Sequence, residues 1–290
     1  MRLPVRIAVV IPAGPEDDVL DTLASVVHYT ESSRIIVVID DTSNPDGVTH
    51  IRSHRPDTVI IPAPDKAPGT QGGLWVKLAT GYRWLLDRYT PEIVLRLDAD
   101  ALLIGHGLEL AAKEVFSSDP AVGLLGSYRI GPDGGFRDSS WAAGRLRTET
   151  GPRGILHPKC RSTLQHFLGL ARGHGYIDGE SVLGGAYIHS YEAAECINRR
   201  GWFSQPWLAS SQLGEDHLMT LLTMAAGYRI RDFGGPVHPL ALKWKGLPGH
   251  PADLLAAGKI VTHSVRYWQD LSERQVREIF AQARTQGSSL

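Results

Sequence analysis

Short apolar runs rich in β-branched residues alternate with longer segments of helical periodicity through the first hundred residues of the chain. That alternation predicts a mainly parallel sheet covered by helices, an α/β fold. Val5 to Pro12 reads as a buried strand. Glu16 to Tyr29 reads as a helix with acidic residues in its first turn and an apolar stripe of Val19, Leu20, Leu23, Val26 and Val27. Arg34 to Asp40 predicts a second strand, Thr58 to Ile61 a short third, Leu74 to Tyr89 a helix, and Ile93 to Asp98 a fourth strand. Two acidic pairs, Asp40/Asp41 and Asp98/Asp100, therefore fall at the carboxyl ends of predicted strands. Ligands of open parallel sheets bind there, because loops and helix N-termini converge.

From about residue 131 the pattern loosens into a Gly-, Arg- and Ser-rich stretch that reads as loop, followed by a helix near Ser162 to Ala171. A Gly-rich strand is expected over Val182 to Ile188, helices over Tyr191 to Arg199 and Asp216 to Ala226, and a strand over Tyr228 to Phe233. A Pro/Gly-rich loop, Gly234 to Pro251, leads to the apolar segment Ile260 to Val265 and a last helix from Ser272 to about Arg284. No internal repeat interrupts this order. One domain of 290 residues is expected, with 1–130 and 131–233 as functional halves and 234–290 as a C-terminal extension.

Composition narrows the partners more than the fold. Thirty Lys and Arg against 31 Asp and Glu leave a net charge of −1, so no global field holds nucleic acid or an anionic surface, and any such partner must use a local patch. Such a patch is present between Phe136 and Tyr176. Arg137, Arg145, Arg147, Arg153, Lys159, Arg161 and Arg172 there face only Asp138 and Glu149, which is either a solvated face or a site for an anionic acceptor. Cys160 and Cys196 lack a zinc-type spacing to other Cys or His and read as reduced thiols. No apolar run reaches the ~18 residues of a membrane span, and a cytoplasmic location is expected.

Asp98-Ala99-Asp100 is the first chemical candidate. In extended chain, side chains two apart point the same way, and two hard oxygen ligands so placed suit Mg²⁺ or Mn²⁺ on a diphosphate. The same pair also serves as an ordinary turn start. Gly72-Gly73 before a helix reads as a plain loop or as a turn that offers free N–H groups to an anion. Glu215 and Asp216 in a first helical turn offset the helix dipole whatever else they do. Trp141, Trp202, Trp207 and Trp244 read as packing or as platforms for sugar rings.

The segments VVIPAG, VVIDD, GGLWVKLATGYRWLL, LRLDADALL, LGGAY and LGEDHLMTLLTMAAGYRI occur in the order found in glycosyltransferase family 2 and its GT-A relatives. The chain resembles that family from residue 6 to about 233. The resemblance implies a GT-A nucleotide-diphospho-sugar transferase fold, a mixed and mainly parallel central sheet flanked by helices. It implies a nucleotide-diphosphate sugar donor, with UDP-sugars favoured, and Mn²⁺ or Mg²⁺. Pro12, Ala13 and Gly14 would lie beside the ribose, Asp40 or Asp41 against the base, and Gly72, Gly73 and Lys77 at the diphosphate. Asp98, Ala99, Asp100, Gly184 and Gly185 complete the donor set, with Asp98 and Asp100 on the metal. Glu215-Asp216 resembles the family's xED motif, whose Asp acts as base in inverting members.

A histidine downstream of that motif commonly adds a third metal ligand in this family. His238 lies 22 residues after Asp216, a typical spacing, and His263 lies 47 after it within IVTHSVR, which resembles the family's C-terminal histidine segment. His263 is preferred. The residues from Gly234 to Lys259, with Trp244, Lys245 and Gly246, then form an insertion able to cover the donor. The acceptor stays open among a glycan, a natural product, a lipid carrier and a modified nucleic acid. Competing readings are a sugar-nucleotide nucleotidyltransferase and a silent sugar-nucleotide or glycan-binding protein. The first is disfavoured by an acidic loop, Pro12 to Asp18, where a basic phosphate loop is required, and the second by the intact acidic set.

Overall fold

The computed structural model describes residues 2–14, 17, 19–41, 51–64 and 71–287. Its first four strands are β1 (Leu3–Ala13), β2 (Arg34–Asp40), β3 (Val59–Pro62) and β4 (Tyr89–Leu97). They are followed by β5 (Ala101–Leu103), β6 (Val122–Gly126), β7 (Ala186–Ser190) and β8 (Arg229–Asp232). Seven of these form one sheet in the order β3-β2-β1-β4-β7-β6-β8. β1 to β4 run parallel, whereas β7 runs antiparallel to both β4 and β6. A smaller sheet joins β5 to β10 (Val261–His263) and β9 (Leu240–Leu242).

The apolar runs are continuous because both sheet faces are covered. Along β1, Ala8 and Val10 enter one core while Ile7, Val9 and Ile11 enter the other, the period-two alternation of a strand. The first core lies beneath α2 (Gln71–Leu86), α5 (Pro158–Gly173) and α7 (Glu215–Ala225). There Trp75 and Tyr82 are fully buried, each side chain stabilising the fold by roughly 2–3 kcal/mol. The second core lies beneath α1 (Leu20–Tyr29) and α3 (Leu108–Ser118). A third packs the smaller sheet under α8 (Pro251–Ala256) and α9 (Glu273–Gly287).

Several boundaries differ from the sequence expectation. Helix α2 ends at Leu86, and Tyr89 instead starts β4 by pairing with Leu3. The expected strand from Val182 begins only at Ala186, because Gly185 takes φ +98° in a turn, and it runs on to Ser190, which caps α6 (Tyr191–Arg199). The expected loop after residue 131 contains a helix, α4 (Ser140–Thr150). Only Ala142 and Leu146 of α4 are buried, so its sequence lacks an apolar stripe. The loop from Gly234 to Pro251 contains β9, and residues 101–130, left unread above, contain β5, α3 and β6. Glu16 and Asp18, expected in the first turn of α1, lie outside the described residues.

Candidate active site

β4 sits in the middle of the sheet, and the chain turns sharply beyond its carboxyl end. Asp98-Ala99-Asp100 is not extended, as the sequence reading assumed; the Ala101 amide donates to the Asp98 carbonyl at 3.1 Å. The turn is held from behind. Thr22 Oγ1 donates to the carbonyls of Ala99 (2.6 Å) and Ala101 (3.0 Å), and Arg277 from α9 donates to Ala99 at 3.0 Å. β10 pairs antiparallel with β5, setting His263 opposite Ala101 and so beside both carboxylates. Gly185 makes that approach possible: a Cβ there would lie 2.5 Å from the His263 ring. Its carbonyl also accepts from the Asp98 amide at 2.8 Å.

One ligand atom each from Asp98, Asp100 and His263 lies within 4.8 Å of the others. The remaining polar atoms of the three side chains are already engaged. Asp98 Oδ1 accepts from Arg96 at 2.7 Å; Asp100 Oδ2 accepts from Ser264 Oγ at 2.7 Å and from Arg266 Nε at 2.8 Å. The His263 Nδ1 lies 2.9 Å from the Lys243 carbonyl, which can only accept, so Nδ1 carries a proton. In the neutral ring Nε2 is then a lone pair, yet it faces Asp98 Oδ2 at 3.5 Å and Asp100 Oδ1 at 3.2 Å. Three lone-pair donors facing one another call for a cation or a proton between them. Burial alone pushes the Asp100 carboxyl up, but hydrogen bonds and charge from His263, Ser264 and Arg266 hold it well below the usual range.

Across from this group, α7 opens with Glu215 and Asp216, and the two neighbours have opposite surroundings. Glu215 is turned inward, accepting from Tyr187 at 2.7 Å and from Arg96 at 2.7 Å. Burial first, and then the charges of Asp216 and Asp98, push its carboxyl up to about 7 against the pull of Arg96. Asp216 Oδ1 accepts from the His217 backbone amide (2.9 Å) and ring Nδ1 (2.8 Å), and Oδ2 accepts from the Gly184 amide at 2.9 Å. Burial opposes ionisation there too, but these partners bring Asp216 down to about 2, and Asp216 in turn raises His217 against its own burial.

Arg96 joins the two acidic groups. It is 1% exposed, lies in an apolar strand, and bridges Asp98 to Glu215 over the Tyr187 ring. Sequence reasoning passed over it, although a cation inside an otherwise apolar strand is itself a signal that buried carboxylates lie nearby. Asp17, Tyr187, Ser264 and Arg266 were also missed. Only the complete fold brings Asp17 and Arg266 together, at 3.2 Å.

A cleft of about 520 Å³ opens over these groups, and its wall includes Pro12, Ala99, Gly184, Asp216, Trp244 and Lys245. Among the described residues, five carboxylates (Asp17, Asp98, Asp100, Glu215, Asp216) line it against three basic side chains (Arg96, Lys245, Arg266). Not every expected donor-binding residue lies on this wall. Ala13, Gly14, Asp40 and Asp41 cluster at the ends of β1 and β2, where Ala13 pairs with Asp40 and accepts from the Asp41 amide. Lys77 is ion-paired with Asp41. Gly72 has a packing role instead of a free N–H: its amide donates to Ser211, and a Cβ would lie 2.4 Å from the Leu208 carbonyl. Gly73 follows it in the first turn of α2. The His238 ring is outside the Asp98, Asp100 and His263 group, and its carbonyl accepts from Lys259.

No family model matches the sequence, and no curated protein does. Among solved structures, the apo form of the WbbM bifunctional glycosyltransferase is similar at a TM-score of 0.51 and 12% identity, over 97% of this chain and 50% of that one. S. aureus TarS, residues 1–349, is similar at a TM-score of 0.44 and 15% identity, over 78% of this chain and 57% of that one. The chain thus spans about half the length of the WbbM chain. With its seven-stranded, mainly parallel sheet and covering helices, the protein has a glycosyltransferase fold of the GT-A type.

Proposed function

We propose that the protein is a metal-dependent glycosyltransferase that moves a sugar from a nucleoside diphosphate donor, a UDP-sugar by preference, to an acceptor hydroxyl with inversion. The observation that carries this reading is the set of three open donor atoms, on Asp98, Asp100 and His263, facing the same cleft as Asp216. Two carboxylates and an imidazole held by its other nitrogen suit Mn²⁺ or Mg²⁺. The excess of carboxylates around the cleft gives a divalent ion a favourable field. Bound there, the ion would offset the negative charge of a departing diphosphate.

The chain's own residues do the rest. Arg96 fixes Asp98 Oδ1, and Arg266 with Ser264 fixes Asp100 Oδ2, so the remaining oxygens stay aimed at the ion site. Among the described residues, Asp216 Oδ2 accepts only the Gly184 amide and keeps a lone pair for the acceptor proton as the acceptor oxygen bonds to the anomeric carbon. That carbon passes through an oxocarbenium-like state, which nearby carboxylates favour. Glu215 holds Arg96 and Tyr187 in place beneath the reacting groups.

The contact between Asp216 and His217 favours a second reading of the base. With Nδ1–H given to Asp216, His217 Nε2 is left as an acceptor, and the ring borders a separate hollow of about 270 Å³ beside Phe136 and Arg137. An acceptor entering there would meet His217 first, with Asp216 orienting the ring.

Incubation with UDP-, GDP- and TDP-sugars plus Mn²⁺ and no acceptor tests the proposal. Slow release of nucleoside diphosphate, lost in Asp98→Ala, is expected. Tight donor binding with no release would support a silent binding protein.

A further inference from the structure

The strongest feature outside the cleft is the surface formed by α4, the short 3-10 helix Pro152–Leu156 and the start of α5. Arg145, Arg147, Arg153 and Lys159 are exposed there, with Arg161 half-buried beside them. None of the five has a carboxylate within 4.0 Å among the described residues. The one acid in the segment, Glu149, is turned inward, accepting from Ser211 Oγ at 2.7 Å and the Gln212 amide at 2.8 Å. Four of the cations, the arginines, adjoin one another. Arg153 shares a hollow of about 150 Å³ with Arg145, Arg161 and the hydrogen-bonded Glu149, and borders Arg147 on its other side.

At the tip of this basic surface stand two aliphatic side chains, Ile155 at 67% and Leu156 at 81% exposure. They lie between Arg153 and Lys159 in the chain, so cations flank the apolar pair on both sides in sequence. In a molecule of net charge −1, a surface that collects five cations against the single carboxylate of Glu149 has to be explained locally.

We propose that this face docks the protein onto an anionic lipid bilayer. Protruding aliphatics lower their free energy by entering the acyl boundary, and guanidinium groups around them stay at the level of the lipid phosphates. A nucleic acid would answer the charge and could stack a base near Trp141, which is exposed beneath Arg145, but it would leave the protruding aliphatic pair without a partner. Docking also acts on the cleft region. Glu149 ties α4 to Ser211 and Gln212, three residues ahead of Glu215, so a bilayer held on α4 lies one short loop from the acidic end of α7.

The test is co-sedimentation of the full chain with phosphatidylcholine vesicles, with and without phosphatidylglycerol, at ~0.15 M salt. No donor or acceptor is present, so failure of the transferase reading leaves the result untouched. Binding to the anionic vesicles alone is expected, weakening as salt is raised. The double substitution Arg147→Glu/Arg153→Glu should lower partitioning by about tenfold or more. Ile155→Ser/Leu156→Ser should lower it several-fold at unchanged charge. Equal binding to neutral and anionic vesicles, absence of binding by the unaltered protein, or full binding by the charge-reversed variant would overturn the proposal. So would a single-stranded nucleic acid that displaces the vesicles and still binds the Ile155→Ser/Leu156→Ser protein.

Discussion

Two acidic pairs face each other across the cleft, and they are built on opposite principles. Asp98 and Asp100 sit on a turn beyond a strand and share one imidazole; each has one oxygen fixed by protein and one directed toward His263. Glu215 and Asp216 sit side by side in the first turn of a helix, yet their carboxyls separate, one pushed up to about 7 and the other brought down to about 2. The first pair is arranged for coordination, because one oxygen of each member converges on the His263 ring. The second is arranged for division of labour, because a single turn of helix sets one carboxylate against Arg96 and Tyr187 and the other against His217 and the Gly184 amide. Helix-dipole attraction applies to both residues of the second pair and cannot cause that difference. The surroundings cause it: burial and the charges of Asp216 and Asp98 push Glu215 up, whereas His217 and the Gly184 amide bring Asp216 down.

The largest expected effect comes from breaking the coordinating pair. Asp98→Ala or Asp100→Ala should lower transfer by about 10³-fold or more, as loss of fixed charge stabilisation does elsewhere. EDTA should do the same to the unaltered protein, and Mn²⁺ or Mg²⁺ should restore the rate. Full activity in EDTA would remove the metal from the mechanism. On the other side, Asp216→Asn should cost about 10²–10⁴ in rate with donor affinity nearly unchanged. Rate against pH separates the two candidate bases. Asp216, depressed to about 2, stays ionised from pH 5 to 8 and adds no slope there. His217 is raised above its ordinary 6.5, so a His217 base would lose activity as pH falls through that raised value. If His217→Asn keeps the wild-type profile, Asp216 holds the role; if the acid limb moves or disappears, His217 does.

Breaking the bridge between the pairs comes next. Arg96→Met removes the cation that Asp98 and Glu215 share and leaves Glu215 buried without it. Loss of one partner of a buried ion pair costs about 3–5 kcal/mol, to be read from denaturant unfolding. An Arg96→Met protein as stable as wild type would mean that the two pairs are energetically independent.

The strand alternation made the parallel half of the sheet legible, because runs such as Ile35 to Ile39 are buried on both faces and match no other element of that length. The ends of the strands were legible as well, since acids stop an apolar run abruptly at Asp40 and Asp98. Helix α4 was not, because its contact is confined to Ala142 and Leu146. Nor was the role of Gly72, which answers to the carbonyl of Leu208, more than a hundred residues away. The arrangement around Asp98 and Asp100 depends on the β5–β10 register, and no local pattern encodes which histidine a distant three-residue strand will deliver. Preference for His263 over His238 came from segment resemblance; the register is its physical counterpart.

The smallest effect sharpens the contrast inside the second pair. Glu215 has a folded-state value of about 7 against an ordinary 4.5, so the folded protein holds a proton there that the unfolded chain releases. Below about 4.5 both states are protonated and burial of the carboxyl carries no electrostatic penalty. As pH rises toward 7 the unfolded state ionises first, and the stability present at low pH is lost. Glu215→Gln keeps the shape and a hydrogen bond to Tyr187 but cannot ionise. The stability difference, wild type minus variant, should therefore decline from pH 5 to pH 8, measured by thermal unfolding without metal. Titration of groups distant from Glu215 is common to both proteins and drops out of the difference. A difference that grows with pH would mean that the ionised Glu215 stabilises the fold through Arg96 more than burial opposes it. In that case Glu215 is held ionised as Asp216 is, and the contrast inside that pair is one of position only.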